Sequence, residues 1–288
     1  MSDANSPLRY PGGKAVLSDF LAASIEATQP TDCIYAEPYA GGAGAAINLL
    51  LAGKVERIML NDADRSISSF WRAVLNQTDA FIDLVKRTPV NVEEWQRQRT
   101  IYVDRPRRIL ELGFATFFLN RCNRSGILPN GGVIGGIGQT GKWKIDARYN
   151  CTELIRRIER IAAHREKIEI FNLDAIDFLR SQILAASDRS RFFVYLDPPY
   201  YVNGSRLYLN HYQPDDHALL AQFLRRIRNV RWLLTYDDTP EIRKLYSWRP
   251  ITDFCLRYSA NSSKDGSEIM VASRRLKLPI ENLRLKAA

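Results

Sequence analysis

The sequence predicts an α/β protein with a mainly parallel sheet, helices on both faces of it, and one basic insert. Short apolar runs typical of buried strands alternate with helical patterns towards both ends of the 288-residue chain. Between them the strand pattern stops, and a basic, mostly helical stretch follows. We therefore expect one α/β domain made of residues 1–65 and 161–288, interrupted by an insert at residues 66–160.

The first part of the chain has the order strand, glycine-rich turn, helix, strand. The first strand is predicted at residues 33–36, the turn EPYAGGAG at 37–44, and the second strand at 57–60, followed by Asn61-Asp62. Small residues in such a turn let the backbone approach a nucleotide, and an acidic residue after the second strand binds ribose hydroxyls. This order predicts a nucleotide site with Asp62 at the ribose.

The whole net charge of +9 lies in one segment, residues 86–167, which overlaps most of the insert. Residues 86–167 hold 17 Lys and Arg against eight Asp and Glu, and the rest of the chain holds 24 of each. Such a segment favours binding to a phosphate backbone. Residues 120–141 are rich in Gly and Asn, which predicts a loop or hairpin. A plain linker is one interpretation of this loop; the other is a nucleic-acid contact made by Arg121, Arg124, Lys142, Trp143 and Lys144.

Strand-like runs return after the insert at residues 168–171, 192–196, 232–235 and 268–272, with a helical run at 216–228 among them. Asp174 lies shortly after the first of these runs. The alternation of strands and helices predicts parallel strands covered by helices on both faces.

The motif Asp197-Pro198-Pro199-Tyr200 follows the run at 192–196, which predicts it at the carboxyl end of a strand, where open α/β sheets place their chemistry. It joins a carboxylate, two residues of fixed φ and an aromatic face in one turn. An exocyclic amine such as adenine N6 is a poor nucleophile because its lone pair is delocalised into the ring. Asp197 and the Pro198 carbonyl can accept its two hydrogens and draw the nitrogen towards tetrahedral geometry, while Tyr200 stacks on the base.

Composition argues against several other classes of protein. No run of about 18 apolar residues occurs, and residues 1–7 do not resemble a secretory signal, so we expect a cytoplasmic protein. The cysteines are scattered, without a C-x-x-C pair or a nearby histidine, which argues against a zinc site and against disulfides. His211 and His217 flank a predicted helix start rather than forming a metal site.

Five motifs occur in the order seen in Dam-like DNA adenine-N6 methyltransferases, the D12 class, and the sequence resembles that family over nearly its whole length. They are RYPGGK at 9–14, EPYAGG at 37–42, Asn61-Asp62, FLNR at 118–121 and DPPY at 197–200. The resemblance implies a Rossmann-like, S-adenosylmethionine-dependent domain with a target-recognition insert. It also implies double-stranded DNA as the partner, with a role beside a restriction nuclease as one option.

The resemblance further implies roles for individual residues. The cofactor-binding residues that it implies are Tyr10, Lys14, Glu37, Asp62, Asp174 and Asp197, and the catalytic turn is Asp197, Pro198, Pro199 and Tyr200. Asp62 takes the ribose hydroxyls, Asp197 lies between the cofactor and the target amine, and Glu37 and Asp174 are candidates for the methionine and adenine ends. The adenine is flipped out of the duplex, and methyl transfer needs no metal and no covalent enzyme intermediate.

Two questions stay open at the level of the sequence. After FLNR the chain continues CNRSGILPN, which departs from the recognition hairpin of the Dam enzymes, so a GATC target is not implied. Asn123, Arg124, Asn130 and Gln139 have side chains that can read base edges. The substrate is the second question, because the same turn serves methyltransferases of RNA adenine and of protein glutamine.

Three alternatives to a DNA methyltransferase follow. The basic insert disfavours a protein substrate but does not separate DNA from RNA. A catalytically silent DNA-binding module is disfavoured by the intact motifs. A P-loop nucleotidase is disfavoured because Ala15 stands where that motif needs Ser or Thr.

Overall fold

The centre of the fold is a seven-stranded sheet. The computed structural model describes residues 5–9, 14–28, 32–202, 212–257 and 265–279. Within them the strands are β1 Ile34–Glu37, β2 Arg57–Asn61, β3 Ile168–Phe171, β4 Phe192–Leu196, β5 Arg231–Asp237, β6 Ile251–Arg257 and β7 Asp265–Ala272. Their spatial order is β3-β2-β1-β4-β5-β7-β6.

The sheet is mainly parallel, which confirms the predicted fold class. Strands β1 to β5 run parallel to one another, and β7 runs antiparallel to both β5 and β6. The order reverses between β1 and β4, the kind of switch point at which such sheets bind ligands. The sequence does not predict β6, because Thr252 and Asp253 interrupt its apolar pattern. A strand at the edge of a sheet needs less apolar cover than a central one.

Helices cover both faces of the sheet. They are α1 Ser18–Thr28, α2 Gly44–Leu51, α3 Arg65–Asn76, α4 Thr78–Arg87, α5 Val92–Asp104, α6 Ile109–Cys122, α7 Cys151–Ala162, α8 Ala175–Phe178, α9 Pro214–Arg226 and α10 Pro240–Leu245. Asp64, Asn91 and Asn150 cap α3, α5 and α7 by accepting a backbone N–H of the first turn. No helix in the described ranges is long and apolar enough to span a bilayer.

The predicted insert folds mainly as helices α3 to α7, and these share one hydrophobic core with α1, α2 and one face of the sheet. Aromatic rings dominate this core: Phe117 lies 6.1 Å from Phe70 and 5.4 Å from Phe81 between ring centroids. Leu112 and Phe117 are fully buried, so the apolar spacing along α6 marks core residues. The joint core fixes the insert against the sheet.

The opposite face of the sheet is covered by α8, α9 and α10. Its core includes Phe178, Leu220, Trp232, Tyr236 and Ile242. The carboxyl ends of the parallel strands are therefore framed by helices on both sides, while the insert reaches the same edge from one side.

Candidate active site

The parallel strands bring four acidic residues to one edge of the sheet. Glu37 is the last residue of β1, Asp62 and Asp197 directly follow β2 and β4, and Asp174 comes shortly after β3. Neighbouring strands lie about 4.8 Å apart. Because the strand order is β3-β2-β1-β4, the four residues form a row across the carboxyl ends, in the order Asp174, Asp62, Glu37, Asp197. Each of them is a site residue that the sequence predicts.

The glycine-rich turn between β1 and α2 is fixed from both sides. Gly41 has a φ of 47°, in the left-handed region that suits glycine. Its N–H donates to Asp62 Oδ2 at 2.9 Å, and its carbonyl accepts a hydrogen bond from Trp71 Nε1 at 3.0 Å. The turn thus presents a rigid backbone between the ends of β1 and β2.

Asp62 is held by backbone groups at the end of β2. In addition to Gly41, its Oδ1 accepts the N–H of Asp64 at 2.8 Å. Burial, with the nearby Asp64 carboxylate as a second cause, raises the pKa of Asp62 to about 7. Asp64 also pairs with Arg105 at 2.7 Å, just beyond the end of α5, so the end of β2 is connected to the helical insert.

Glu37 is a buried carboxyl group at the centre of the row. The Tyr35 hydroxyl donates to its Oε1 at 3.0 Å. Burial raises the pKa of Glu37 to about 8, and the negative charge of Asp197 acts in the same direction. A cation placed beside such a group stabilises its ionised form.

Lys14 lies at the centre of a buried charged cluster. Its Nζ donates to Oε1 and Oε2 of Glu268 at 2.9 and 3.0 Å and to the Tyr200 hydroxyl at 2.8 Å, and it lies 3.4 Å from Asp197 Oδ1. The Tyr200 hydroxyl in turn donates to Glu268 Oε1 at 2.5 Å. The side chains of Lys14 and Glu268 are only 3% and 2% exposed. The N-terminal segment, the DPPY turn and β7 therefore meet at this cluster.

Asp197 has one fixed oxygen and one available oxygen. Its Oδ1 accepts the Thr235 hydroxyl at 3.0 Å, and Thr235 shares a further hydrogen bond of 2.8 Å with the Tyr195 hydroxyl. In the part of the chain that the structure describes, Oδ2 accepts no hydrogen bond, and the side chain is 22% exposed. Burial raises the pKa of Asp197, and the neighbouring Lys14 partly offsets this.

The turn that follows Asp197 is held by the end of β5. Pro198 and Pro199 are buried, and their rings fix φ on both residues. The N–H groups of Tyr201 and Val202 donate to the two carboxylate oxygens of Asp237 at 3.0 and 3.2 Å. The DPPY turn is thus a rigid element rather than a loose loop.

The family of the chain follows from its sequence profile together with this geometry. A profile of the D12 class N6 adenine-specific DNA methyltransferases matches residues 10–254. This span contains the glycine-rich turn, Asp62, the insert and the DPPY turn. The chain belongs to the D12 class of N6 adenine-specific DNA methyltransferases. It is therefore an enzyme that methylates adenine in DNA, on a Rossmann-like methyltransferase fold.

Relatives of this methyltransferase include the Type II methyltransferase M.CviBI of Paramecium bursaria Chlorella virus NC1A. It is 26% identical over 255 residues, which cover 83% of this chain and 88% of the viral protein. Two structures of the rRNA methyltransferase aviRa from Streptomyces viridochromogenes align at 12% identity with TM-scores of 0.38 and 0.36. Those alignments cover 93% and 88% of this chain and 88% and 84% of the other chains. This structural likeness is distant, and the family assignment does not depend on it.

The acidic row of the methyltransferase fits a cationic methyl donor. S-adenosylmethionine carries a sulfonium and an ammonium group, and the buried Glu37 carboxyl is a group that a neighbouring cation would ionise. Asp62 stands beside the rigid glycine turn, as a ribose-binding acid does. Asp174 caps α8 by accepting the N–H of Ile176 at 2.8 Å and remains exposed at the far end of the row. Tyr10 lies outside the described residues.

Asn123 does not fit the predicted role of a DNA contact. It is buried, its Oδ1 accepts Trp95 Nε1 at 2.7 Å, and its Nδ2 donates to the Ile127 carbonyl at 2.6 Å. Its side chain is therefore engaged within the protein, where it fixes the start of the glycine-rich loop. Both amide atoms bind protein groups in this conformation, so contact with a base edge would require this segment to rearrange.

Arg121 and Gln139 also make their hydrogen bonds within the protein. Arg121 Nε donates to the Arg148 carbonyl at 2.6 Å, and burial lowers the pKa of Arg121 to about 10. Gln139 Nε2 donates to the Ile134 carbonyl at 2.8 Å, and its Oε1 accepts the N–H of Ile145 at 2.9 Å. Both side chains shape the loop that the sequence predicts as a DNA contact.

A second group of predicted DNA contacts is exposed. It consists of Arg124, Asn130, Lys142, Trp143 and Lys144. Trp143 among them is 60% exposed, and Lys142 Nζ lies 5.9 Å from the centre of its ring. Lys144 Nζ donates to the Gln139 carbonyl at 2.6 Å. The structure thus separates the residues that build the loop from those that face solvent.

Sequence reasoning missed three residues that hold the site: Glu268, Thr235 and Asp237. The signal for Glu268 was present, since it is an acidic residue that begins the apolar run EIMVA in a predicted buried strand. A carboxylate is rarely buried without a charged partner, so its position already implied a cation elsewhere in the fold. No comparable signal marked Thr235 or Asp237.

Proposed function

We propose that this enzyme transfers a methyl group from S-adenosylmethionine to N6 of an adenine flipped out of duplex DNA. The observation that carries the proposal is the Asp197 carboxylate, with Oδ1 fixed by Thr235 and Oδ2 free of hydrogen bonds from the described residues. A target amine can donate one hydrogen to Oδ2 and the other to the Pro198 carbonyl. These bonds draw the nitrogen towards tetrahedral geometry and make its lone pair available.

The rest of the proposed catalytic turn positions the base. Pro199 is buried and keeps the turn rigid, and the hydroxyl of Tyr200 is anchored by Glu268 and Lys14. With its hydroxyl end fixed, the Tyr200 ring stands next to Asp197 as a surface on which the flipped adenine can stack. Flipping costs roughly a few kcal/mol, which stacking and hydrogen bonds in the pocket offset.

The residues along the acidic row bind the cofactor. Glu37 holds the ammonium group, Asp62 the ribose hydroxyls and Asp174 the adenine end, with Tyr10 as a further contact. When bound, S-adenosylmethionine supplies a methyl group on a sulfonium sulfur, which is already electrophilic. The N6 lone pair forms the new N–C bond as the C–S bond breaks and its electrons stay on sulfur. A proton then leaves N6 to Asp197 or to solvent.

The exposed part of the glycine-rich loop faces the DNA in this proposal. Arg124, Lys142 and Lys144 supply positive charge, Trp143 an exposed aromatic face, and Asn130 an amide that can read a base edge. The insert shares its core with the sheet, so this surface is held at a fixed distance from the acidic row.

The test is transfer of labelled methyl from S-adenosylmethionine to unmethylated duplex DNA, with single-stranded DNA and RNA as parallel acceptors and nucleoside analysis of each product. We expect N6-methyladenine in duplex DNA. Asp197→Ala should lower the rate by about 100-fold or more, because it removes an acceptor aimed at the reacting amine. DNA binding should remain largely intact.

The matched control is Asp253→Ala, which removes an exposed carboxylate from edge strand β6. Its activity should equal that of the wild type. Labelled methyl groups in RNA alone would contradict the proposal that duplex DNA is the substrate. Near wild-type turnover of Asp197→Ala would contradict the placement of Asp197 in the active site.

A further inference from the structure

Glu268 is a buried charged residue to which the proposed chemistry assigns no step. It lies on β7, is 1% exposed, and belongs to none of the five motifs. Its carboxylate nevertheless binds one residue from each of two motifs: Lys14 of RYPGGK and Tyr200 of DPPY. Glu268, which lies outside the motifs, thus connects Lys14 and Tyr200, which belong to two different motifs.

We propose that Glu268 is a positioning residue for methyl transfer, which holds the Lys14 ammonium back from Asp197 and fixes Tyr200. The inference rests on the proposed function of Asp197. Lys14 Nζ is 2.9 and 3.0 Å from the two oxygens of Glu268 but 3.4 Å from Asp197 Oδ1. The ammonium is therefore hydrogen-bonded to both oxygens of Glu268, and its ion pair with Asp197 is the longer contact.

The consequence for Asp197 follows from charge. A buried ammonium needs a counter-ion. Without Glu268, the nearest carboxylate to Lys14 in the described part of the cluster is Asp197. The ammonium would then move onto Asp197 and occupy lone pairs that the target amine needs. Glu268 therefore keeps Asp197 available as an acceptor.

The consequence for Tyr200 follows from a short hydrogen bond. Its hydroxyl donates to Glu268 Oε1 at 2.5 Å, within the range of a charge-assisted bond. This bond restrains the ring at its far end while the two prolines restrain its backbone. Loss of the carboxylate removes that restraint from the surface on which the adenine stacks.

A purely structural role does not explain a charged pair at this position. Replacing a buried ion pair by apolar side chains is often neutral or stabilising. The three positions that follow Glu268 on β7 are Ile269, Met270 and Val271, all fully buried. An apolar side chain could fill this position in the strand. We therefore assign the role of the Glu268 carboxylate to its contacts with Lys14 and Tyr200.

The first experiment compares Glu268→Gln with wild type in single-turnover methyl transfer to DNA. We expect the rate to fall about 10- to 100-fold, as loss of a charge-assisted hydrogen bond does. The acid limb of the pH–rate profile should move to lower pH, because removing a neighbouring negative charge lowers the pKa of Asp197. Glu169→Gln, which removes a carboxylate paired with Arg57 across two strands of the same sheet, is the control and should change neither.

The second experiment asks whether Glu268 acts through Lys14. Single-turnover rates are measured for Glu268→Gln, Lys14→Met and the double variant. We expect Glu268→Gln to lower the rate by a smaller factor once Lys14 is Met, since the charge that Glu268 balances is gone and only its hydrogen bond to Tyr200 is weakened. The double variant leaves no buried charge unpaired within this pair, so it serves even if Glu268→Gln does not fold. If the loss of rate in the double variant equals the product of the losses in the two single variants, the proposal is overturned.

The third readout does not depend on activity. In a crystal structure of Glu268→Gln we expect Lys14 Nζ to have moved to hydrogen-bond Asp197 and the Tyr200 ring to have turned. Lys14 and Tyr200 in unchanged positions would overturn the proposal. A wild-type enzyme that does not methylate DNA would instead overturn the proposed function, and the crystal structure would still decide the role of Glu268.

Discussion

The side chain of Asn120 binds both peptide groups of Arg9. Its Oδ1 accepts the Arg9 N–H at 2.7 Å, and its Nδ2 donates to the Arg9 carbonyl at 2.6 Å and to the Gly126 carbonyl at 3.0 Å. Asn120 is fully buried in α6. The insert therefore holds the N-terminal segment that leads to Lys14, which gives the FLNR motif a role in assembling the active site.

Asn120→Asp tests this contact. The substitution puts an acceptor where two carbonyls need a donor and adds a buried negative charge. We expect the free energy of unfolding to fall by roughly 2–3 kcal/mol, measured by urea denaturation. Methyl transfer should fall further than the unfolded fraction explains, because Lys14 loses its support. Asn76→Asp, at the exposed end of α3, is the control. Wild-type stability in Asn120→Asp would show that the contact is unimportant.

Glu37 should make the enzyme less stable as pH rises. Burial raises its pKa from 4.5 to about 8. Between these values the folded protein binds more protons than the unfolded chain, so the free energy of unfolding falls with increasing pH. Glu37→Gln removes this dependence. We expect it to be more stable than wild type at pH 8, by on the order of a few kcal/mol, and close to wild type near pH 4.5.

Asp62→Asn separates Glu37 from a second acid of the row whose pKa is raised. The pKa of Asp62 is raised only to about 7. Above that pH Glu37 still titrates in the folded state, so Asp62→Asn should retain the loss of stability between pH 7 and 8. Glu37→Gln should show a smaller loss over this range, because Asp62 is already largely deprotonated there. Urea denaturation over this pH range measures both, and equal slopes in the two variants would contradict the assignment.

Local patterns account for what the sequence could predict. Apolar runs mark β1 to β5 and β7, and parallel strands bring the residues at their ends to one edge. That is why Asp62 and Asp197 could each be placed at a strand end without a structure, whereas Glu37 and Asp174 entered the predicted site through the resemblance to the family. The single missed strand, β6, has no clear apolar pattern because it lies at the edge of the sheet.

Contacts across long sequence separations could not be predicted. Lys14 and Glu268 are 254 positions apart, and no periodicity connects them. Asn123 and Asn130 are the same residue type in one loop, yet Asn123 is buried because Trp95 of α5 covers it and Asn130 is exposed. Which polar residues of a loop face the solvent depends on the helix packed against it, and that packing is not a local property.

Gly113 is predicted to be essential for the contact between α3 and α6. A Cβ at this position would lie 2.7 Å from the Ser69 carbonyl oxygen and 3.0 Å from the Phe70 Cα. Both are backbone atoms that can move only with the helix. Gly113→Ala should therefore destabilise the enzyme by roughly 1–3 kcal/mol, although alanine favours an isolated helix. Gly132→Ala, where a Cβ meets nothing within 4 Å, is the control in urea denaturation. A stabilised Gly113→Ala would refute the close contact.

Arg124 and Arg121 should differ in their effects on DNA binding. Arg124 is exposed, whereas Arg121 is half-buried and donates to the Arg148 and Pro7 carbonyls. If Arg124 contacts a phosphate, Arg124→Ala weakens binding and lowers the slope of log K against log salt by about one. Arg121→Ala should leave that slope unchanged and instead lower the free energy of unfolding, because it removes hydrogen bonds that join α6 to its neighbours.

Fluorescence anisotropy with labelled duplex DNA over a series of salt concentrations measures the slope for each variant, and urea denaturation measures stability. Lys142→Ala provides a second exposed cation for comparison and should behave as Arg124→Ala does. A slope lowered by Arg121→Ala, or unchanged in both exposed variants, would place the DNA surface elsewhere on the insert. The contrast is decisive because the sequence alone treats Arg121 and Arg124 as equivalent, and only the hydrogen bonds of the folded loop distinguish them.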